Sequence, residues 1–427
     1  MSGARAMDFV NLAHPEDRVS FATAVQRGLG RGRGLYFPEV IEPLEDVAAL
    51  LGLPFVERSA RLLTHLTGLE ADRVDALVRQ AFDFPLDQVA VGERVHALEL
   101  FHGPSLAFKD FGARFLAACL GAFTDGSPTT ILTATSGDTG AAVAHAFHGI
   151  PGVRAVILYP RGRISPLQEK LFCTLGDNIH TISVDADFDT CQALVKEAFD
   201  HEALREELGL NSANSINVAR LLAQVSYYFE SVARLDGEAP VFCVPSGNFG
   251  NITACLIART LGLPMGRVLA ATNRNDTIPR YLADGNWAPN PTVATLSNAM
   301  DISLPNNFPR VEALARRAGS PIADYLESVA IDDDQTQGAI RALDRQGYLA
   351  DPHSALAWLA LSEALKPGET GVFLCTAHPA KFAEVIEDTL HRPVPLPPAL
   401  AEVRDKTVLS ARIPGEFSAL LEALRAP

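Results

Sequence analysis

Lys109 stands in an apolar, aromatic stretch, Leu100-Phe-His-Gly-Pro-Ser-Leu-Ala-Phe-Lys-Asp-Phe-Gly112. A lysine among Phe101, Leu106, Phe108 and Phe111 loses hydration of its ammonium, so its amine is more often neutral and nucleophilic. Schiff-base chemistry needs that state. A lone lysine at a helix start is also commonly solvated, with its stem on apolar surface and its head in water. By itself this segment favours the plainer reading.

Four further segments could bind anions or a polar ring. Pro245-Ser-Gly-Asn-Phe-Gly-Asn251 follows an apolar run and opens a helical one. Gly247 and Gly250 let the backbone approach a ligand, and the free N–H groups of a helix start then face it, which is a phosphate cradle or a plain tight turn. No G-x-x-x-x-G-K-[S/T] motif occurs, so a phosphate on a cofactor smaller than a nucleotide fits better. Thr133-Ala-Thr-Ser-Gly-Asp-Thr-Gly140 gathers hydroxyls and N–H groups at another helix start, suited to a carboxylate or to simple capping. In Asn211-Ser-Ala-Asn-Ser-Ile-Asn-Val-Ala-Arg220, the residues Asn214, Ser215 and Arg220 could gather a second anion, because a guanidinium binds two oxygens at once. Standing alone, that segment is a helix cap followed by a surface arginine. Thr376-Ala-His-Pro-Ala-Lys381 ends a strand, and the Thr376 hydroxyl there could meet a neutral ring nitrogen or cap the strand end.

The elements that must position these groups alternate between strand and helix from about residue 96. Strands are predicted over Thr129–Thr135, Val153–Tyr159, Ile179–Val184, Pro240–Pro245, Val268–Thr272 and Gly371–Thr376. Most are apolar on both faces, as strands of a buried parallel sheet are. Helices are predicted over Gly140–Phe147, from Ser165 as N-cap and Pro166 to a stop at Gly176, over Asp187–Leu208 and over Ile252–Leu261. The fold class is therefore α/β. Ligands in such folds bind beyond the carboxyl ends of strands, where Ser136–Thr139, Ser246–Asn251 and Thr376–Pro379 all fall. Residues 1–95 differ, with helical patterns at Pro43–Leu51 and Glu57–Leu66. The run Gly28-Leu-Gly-Arg-Gly-Arg-Gly34 misses the G-x-G-x-x-G spacing and reads as a flexible turn. Pro393–Pro398 reads as an extended linker to a C-terminal tail.

The chain has 427 residues, 48% of them hydrophobic, enough for two or three packed domains. Its net charge of −15 argues against nucleic-acid and anionic-membrane partners. Six scattered cysteines lack zinc spacing and read as buried reduced thiols of a cytoplasmic protein, so no metal is expected. Met1 to Asp17 has no apolar core of signal-peptide length, and no run of about 18 apolar residues exists to span a membrane.

Taken together, Phe101–Gly112, Ile131–Phe147, Ile157–Leu175, Leu210–Leu222, Pro245–Gly250, Thr295–Asn307 and Thr376–Phe382 resemble the threonine synthases, fold-type-II pyridoxal-phosphate enzymes similar in fold to tryptophan synthase β. The likeness starts at Val19-Ser-Phe-Ala22, runs nearly end to end, and is closest to the longer bacterial and fungal subgroup. It implies two open α/β domains with parallel-rich sheets plus an N-terminal extra domain. The boundaries expected are 1–95 for the extra domain, 96–130 with 223–427 for the cofactor-binding domain, and 131–222 for a small domain closing on substrate. By position, Lys109 is the Schiff-base lysine. Gly247, Asn248, Phe249, Gly250 and Asn251 hold the cofactor phosphate, and Thr376 meets the pyridine nitrogen. Thr135, Ser136, Gly137 and Thr139 take the substrate carboxylate, while Asn214, Ser215 and Arg220 take the substrate phosphate. Asp138 stands where many such enzymes carry Asn beside the cofactor's phenolic oxygen. A carboxylate there repels a phenolate, so Asp138 is expected to bind backbone donors instead. The implied reaction turns O-phospho-L-homoserine and water into L-threonine and inorganic phosphate, by γ-elimination and then β-addition of water. A monomer or small homo-oligomer is expected. The rivals are a serine or threonine dehydratase or O-phosphothreonine lyase, which would not use a second phosphate site, and a non-catalytic binding protein of the same fold, which would not need Lys109.

Overall fold

The computed structural model describes residues 7–123, 126 and 129–426. Residues 1–6 of the expected N-terminal domain, 124, 125, 127 and 128 of the expected cofactor-binding domain, and 427 at the tail lie outside the described residues. Two α/β sheets carry the architecture. The larger runs Glu327–Ala330, Val268–Thr272, Val241–Pro245, Gly371–Cys375, Val95–Glu99, Asp87–Ala90. All its pairings are parallel except that of Asp87–Ala90, the antiparallel edge. Residues 241–245, 268–272 and 371–375 are buried throughout, which is why they read as unbroken apolar runs. The smaller sheet runs Ala411–Pro414, Ile179–Asp185, Val153–Pro160, Thr129–Ala134, Leu210–Asn211, all parallel.

Four expectations change. The tail beyond the Pro393–Pro398 linker does not stay with the larger sheet. Ala411–Pro414 pairs with Ile179–Asp185, and helix Phe417–Arg425 buries Leu420 and Leu424 in the smaller sheet's core. The edge of Ile179–Asp185 would otherwise expose a row of unpaired backbone groups, and the four residues of tail strand pair with its Ile182–Asp185 end. The Asp87–Ala90 strand, assigned to the N-terminal region, belongs to the larger sheet. The helix over Asp187–Leu208 is broken at His201, whose Nδ1 accepts from the Leu204 N–H and starts a second helix. Helix Pro166–Cys173 closes at Thr174, short of Gly176.

The N-terminal region forms an antiparallel sheet of Asp8–Asn11, His14–Ser20 and Tyr36–Pro38. The Gly28–Gly34 run is a turn wrapped on Asn11. A Cβ at Gly34 would lie 1.8 Å from Asn11 Oδ1, and one at Gly30 2.5 Å from Asn11 Nδ2. These glycines make room for a buried side chain of the chain itself. Among the described residues no helix is long and apolar enough to cross a membrane.

Candidate functional site

Lys109 opens helix Lys109–Phe123. The residues before it are stitched to the end of strand Gly371–Cys375. Phe108 N–H donates to the Thr376 carbonyl at 2.9 Å, His378 N–H donates to the Leu106 carbonyl at 3.0 Å, and Ala107 bridges Ala377. Lys109 and Thr376, 267 positions apart by number, are thereby fixed on adjoining backbone. Behind Lys109, Gly112 allows helix Val218–Ala223 to close in: a Cβ there would stand 2.9 Å from the Arg220 carbonyl oxygen. Burial depresses the Lys109 ammonium below the usual lysine range. Asp138 acts in the opposite sense, and Lys381 and Arg220 add to the depression. The neutral amine expected from the aromatic setting is thus favoured by the fold.

Asp138 does not bind backbone donors. Its carboxylate lies 2.5 Å from Lys381 Nζ through Oδ1 and 3.6 Å from Lys109 Nζ through Oδ2. Burial pushes its acidity down, but Lys381 and Lys109 outweigh that and hold it below the usual carboxylate range. The repulsion expected at this position is therefore met by two lysines, one of which had no expected role. The preceding turn is partly self-satisfied. Thr135 Oγ1 accepts from the N–H groups of Gly137 and Gly140 at 2.9 and 2.8 Å, so Thr135 caps the turn and those two donors are spoken for. Ser136 is exposed and Thr139 half-buried, both at the mouth of that turn.

In the glycine loop, Phe249 takes a left-handed conformation (φ 58°) and precedes helix Gly250–Thr260 without any side-chain cap. The N–H groups of that helix start are therefore not consumed by a cap. Asn251 Oδ1 accepts from Tyr227 and Tyr228 hydroxyls at 2.5 and 2.6 Å, which leaves its buried Nδ2 without a partner. Asn248 Nδ2 donates to Ser215 Oγ at 2.6 Å, and Asn214 Oδ1 accepts from Thr133 Oγ1 at 2.8 Å. Arg220 is 2% exposed, donates to the Ala213 carbonyl, and has no partner for its buried Nε. Its guanidinium forms no ion pair among the described residues, and burial lowers its pKa to about 10. A buried cation short of partners calls for an anion, and a buried amide N–H for an acceptor oxygen; a phosphate supplies both.

The sequence reading missed Lys381, Arg310 and the group beneath Thr376. Lys381 sat in the quoted strand-end segment, and a second lysine in an apolar stretch was the available signal. Arg310, fully buried, donates to Asn307 Oδ1 at 2.6 Å and to the carbonyls of Tyr36 and Ile216 at 2.7 and 2.8 Å. Nothing local distinguished it from a surface arginine. Ser354 Oγ accepts from Thr376 N–H at 3.3 Å and bonds Asp351, which also takes His353 Nδ1 at 2.6 Å.

A family model described as pyridoxal-phosphate dependent enzyme matches residues 84–377, and one described as threonine synthase, C-terminal matches 354–423. The chain is 56% identical to a threonine synthase of Haemophilus influenzae over 97% of its length and 98% of the relative's. The crystal structure of threonine synthase from Escherichia coli superposes with a TM-score of 0.93 at 54% identity, over 98% of this chain and 99% of that one. The chain belongs to the threonine synthase family. The PLP-bound threonine synthase structure from Brucella melitensis also superposes, with a TM-score of 0.92 at 32% identity over 98% of this chain and 99% of that one. Membership makes this chain a pyridoxal-phosphate-dependent lyase of the threonine synthase family. Its residues fit that cofactor. The uncapped helix start, the partnerless Asn251 amide and Gly247, where a Cβ would meet Met300 Cα at 2.7 Å, form a cradle only a bare backbone can line.

Proposed function

We propose that the site converts O-phospho-L-homoserine and water to L-threonine and inorganic phosphate, with Lys109 carrying the cofactor. The observation that carries the substrate assignment is Arg220, a buried guanidinium that forms no ion pair among the described residues and whose charge acts on Lys109. One phosphate sits on the cofactor; a second anion is needed to neutralise Arg220, and a phosphorylated substrate supplies it.

Gly247, Asn248, Phe249, Gly250 and Asn251 hold the cofactor phosphate with neutral donors and a helix start. The Thr376 hydroxyl faces the pyridine nitrogen, and a hydroxyl does not force that nitrogen to stay protonated as a carboxylate would. Asp138, held below the usual carboxylate range by its two lysines, would stand near the cofactor that Lys109 carries. Ser136 and Thr139 bind the substrate carboxylate at the start of helix Asp138–Phe147, over the turn that Thr135 and Gly137 shape. Asn214, Ser215 and Arg220 bind the substrate phosphate. When bound, pyridoxal phosphate supplies the electron sink that stabilises negative charge on the amino-acid carbon. With that cofactor bound, the Lys109 amine would serve as the base for the α-proton. Arg220 then stabilises the charge that gathers on the departing phosphate. The two sheets act as two domains that close on substrate and exclude water until addition. The six buried free thiols support a cytoplasmic enzyme.

Two measurements test this. Borohydride reduction, digestion and mass mapping should label Lys109, and a label on another lysine breaks the site assignment. Purified enzyme should release phosphate from O-phospho-L-homoserine with stoichiometric threonine. Formation of 2-oxobutanoate from threonine without any phosphohomoserine turnover would make it a dehydratase instead.

A further inference from the structure

Lys381 is buried, 4% exposed, on the turn that follows strand Gly371–Cys375. Its Nζ donates to the Ser105 carbonyl at 2.8 Å and pairs with Asp138 Oδ1 at 2.5 Å. Lys109 reaches the other oxygen of the same carboxylate, at 3.6 Å, and 16% of its side chain is exposed. Two ammonium groups thus compete for one carboxylate in a buried setting. The charged and titratable groups around the pair come from several elements: Asp138 on helix Asp138–Phe147, Arg220 on helix Val218–Ala223, Asp110 beside Lys109 on its own helix, and His353 on helix Pro352–Ala364. With both lysines protonated the cluster holds surplus positive charge that Arg220 makes worse.

We propose that Lys381 is a positioning residue for the Lys109 amine: by taking the Asp138 carboxylate it weakens the ion pair that would keep Lys109 an ammonium. Surplus charge in a low-dielectric site is relieved by loss of a proton from the lysine held less firmly. Lys381 has the shorter ion pair and a carbonyl acceptor as well, so it is the lysine held more firmly. Lys109, farther from the carboxylate and closer to solvent, gives its proton up. Asp138 is thereby the charge that Lys381 needs in order to stay buried, and Lys381 is the reason Asp138 does not hold Lys109 inactive. The arrangement predicts opposite effects from removing the two partners. Without Lys381, Asp138 pairs with Lys109 alone and favours its charged form. Without Asp138, Lys109 faces Lys381 and Arg220 unopposed and loses its proton more readily.

This inference rests on the reading of Lys109 as the functional lysine, and the test is chosen to separate the two. The full-length chain, freed of cofactor, is pulsed with acetic anhydride across a pH series, and acetylation of the Lys109 peptide is quantified by mass. Below the midpoint the rate follows the neutral fraction, so about one unit of upward shift slows labelling roughly tenfold. Lys381→Met should slow Lys109 labelling about tenfold at fixed pH. Asp138→Asn should speed it, and Lys381→Arg, which keeps the ion pair, should restore the parental rate. Loosened packing speeds acetylation of every buried lysine, so a slowing is not a symptom of damage. If Lys381→Met does not fold, Lys381→Gln, whose amide still donates to Ser105, gives the same reading. An unchanged or faster Lys109 rate in the folded neutral variant overturns the proposal. Borohydride mapping of the cofactor to another lysine overturns the functional assignment but leaves the titration order as measured.

Discussion

The Asn248 side-chain amide donates to the Ser215 hydroxyl at 2.6 Å, which fastens the glycine loop to the segment leading into the Arg220 helix. The two anion sites expected from sequence are therefore adjoining walls joined by one hydrogen bond. Ser215→Ala should disturb both. A lost neutral hydrogen bond costs about 1 kcal/mol, or roughly fivefold in affinity. We expect cofactor retention, measured by fluorescence titration, to weaken by about that factor together with a rise in KM. A rise in KM with unchanged cofactor affinity would show the bond to be without mechanical consequence for the loop.

Gly247 and Gly250 should respond differently to a methyl group. At Gly247 an added Cβ meets Met300 Cα, a backbone atom that cannot swing aside; at Gly250 it stands 3.3 Å from Asn307 Nδ2, a side-chain atom. Gly247→Ala should cost about 1–3 kcal/mol in cofactor binding or stability, and Gly250→Ala less. Isothermal titration with pyridoxal phosphate and urea unfolding of each variant check the order; equal or inverted effects contradict the packing argument.

Arg310 ties three regions, the Tyr36 strand, Ile216 and Asn307, and forms no ion pair with a carboxylate among the described residues. Its fork shape satisfies acceptors in three directions, which an ammonium on a thin stem cannot do. Both Arg310→Leu and Arg310→Lys are expected to lose about 2–4 kcal/mol of stability in urea unfolding. A Lys variant as stable as the parent would mean that charge, and not the fork, is what the site requires.

His145 and His378 predict a pH dependence of stability. Burial lowers both to about 4, with the Leu171 carbonyl accepting from His145 and opposing the shift, and with His102 adding to the depression at His378. The unfolded chain binds a proton at each below about pH 6.5, while the folded chain does not until about pH 4. Their contribution is therefore fully favourable above the upper limit and is lost as pH falls through this window. Asp110 and Asp301, pushed up to about 6 by burial, work in the opposite sense, so the difference between parent and variant is the clean quantity. The double variant His145→Gln, His378→Gln should lose less stability than the parent between pH 7 and pH 4.5, by about 2–4 kcal/mol. Parallel stability curves for the two proteins would refute the shifted histidines.

The local pattern was enough to find the strands that lead into the threonine-rich turn, the glycine loop and Thr376, because strands buried on both faces must be apolar throughout and turns beyond them need glycine, serine and threonine; Val95–Glu99 and the two-residue Leu210–Asn211, which lead towards Lys109 and Asn214, were not found. Val268–Thr272 matched residue for residue, and the glycine loop lies where its spacing placed it. The tail and the charges were not legible in this way. Ala411–Pro414 is too short and too polar to announce a strand; only the open edge of Ile179–Asp185 makes it one.

Sequence by itself determined the chemistry-bearing residue types and their order, through Lys109, the glycine loop and the threonine-rich turn. Tertiary structure decided their charge states. Asp138 was expected to seek backbone donors and instead lies between Lys381 and Lys109, and Arg310 and Arg220 became buried cations. The physical reason is that hydration and Coulomb energies depend on distances between residues hundreds of positions apart, whereas strand and turn preferences depend on neighbours in the chain.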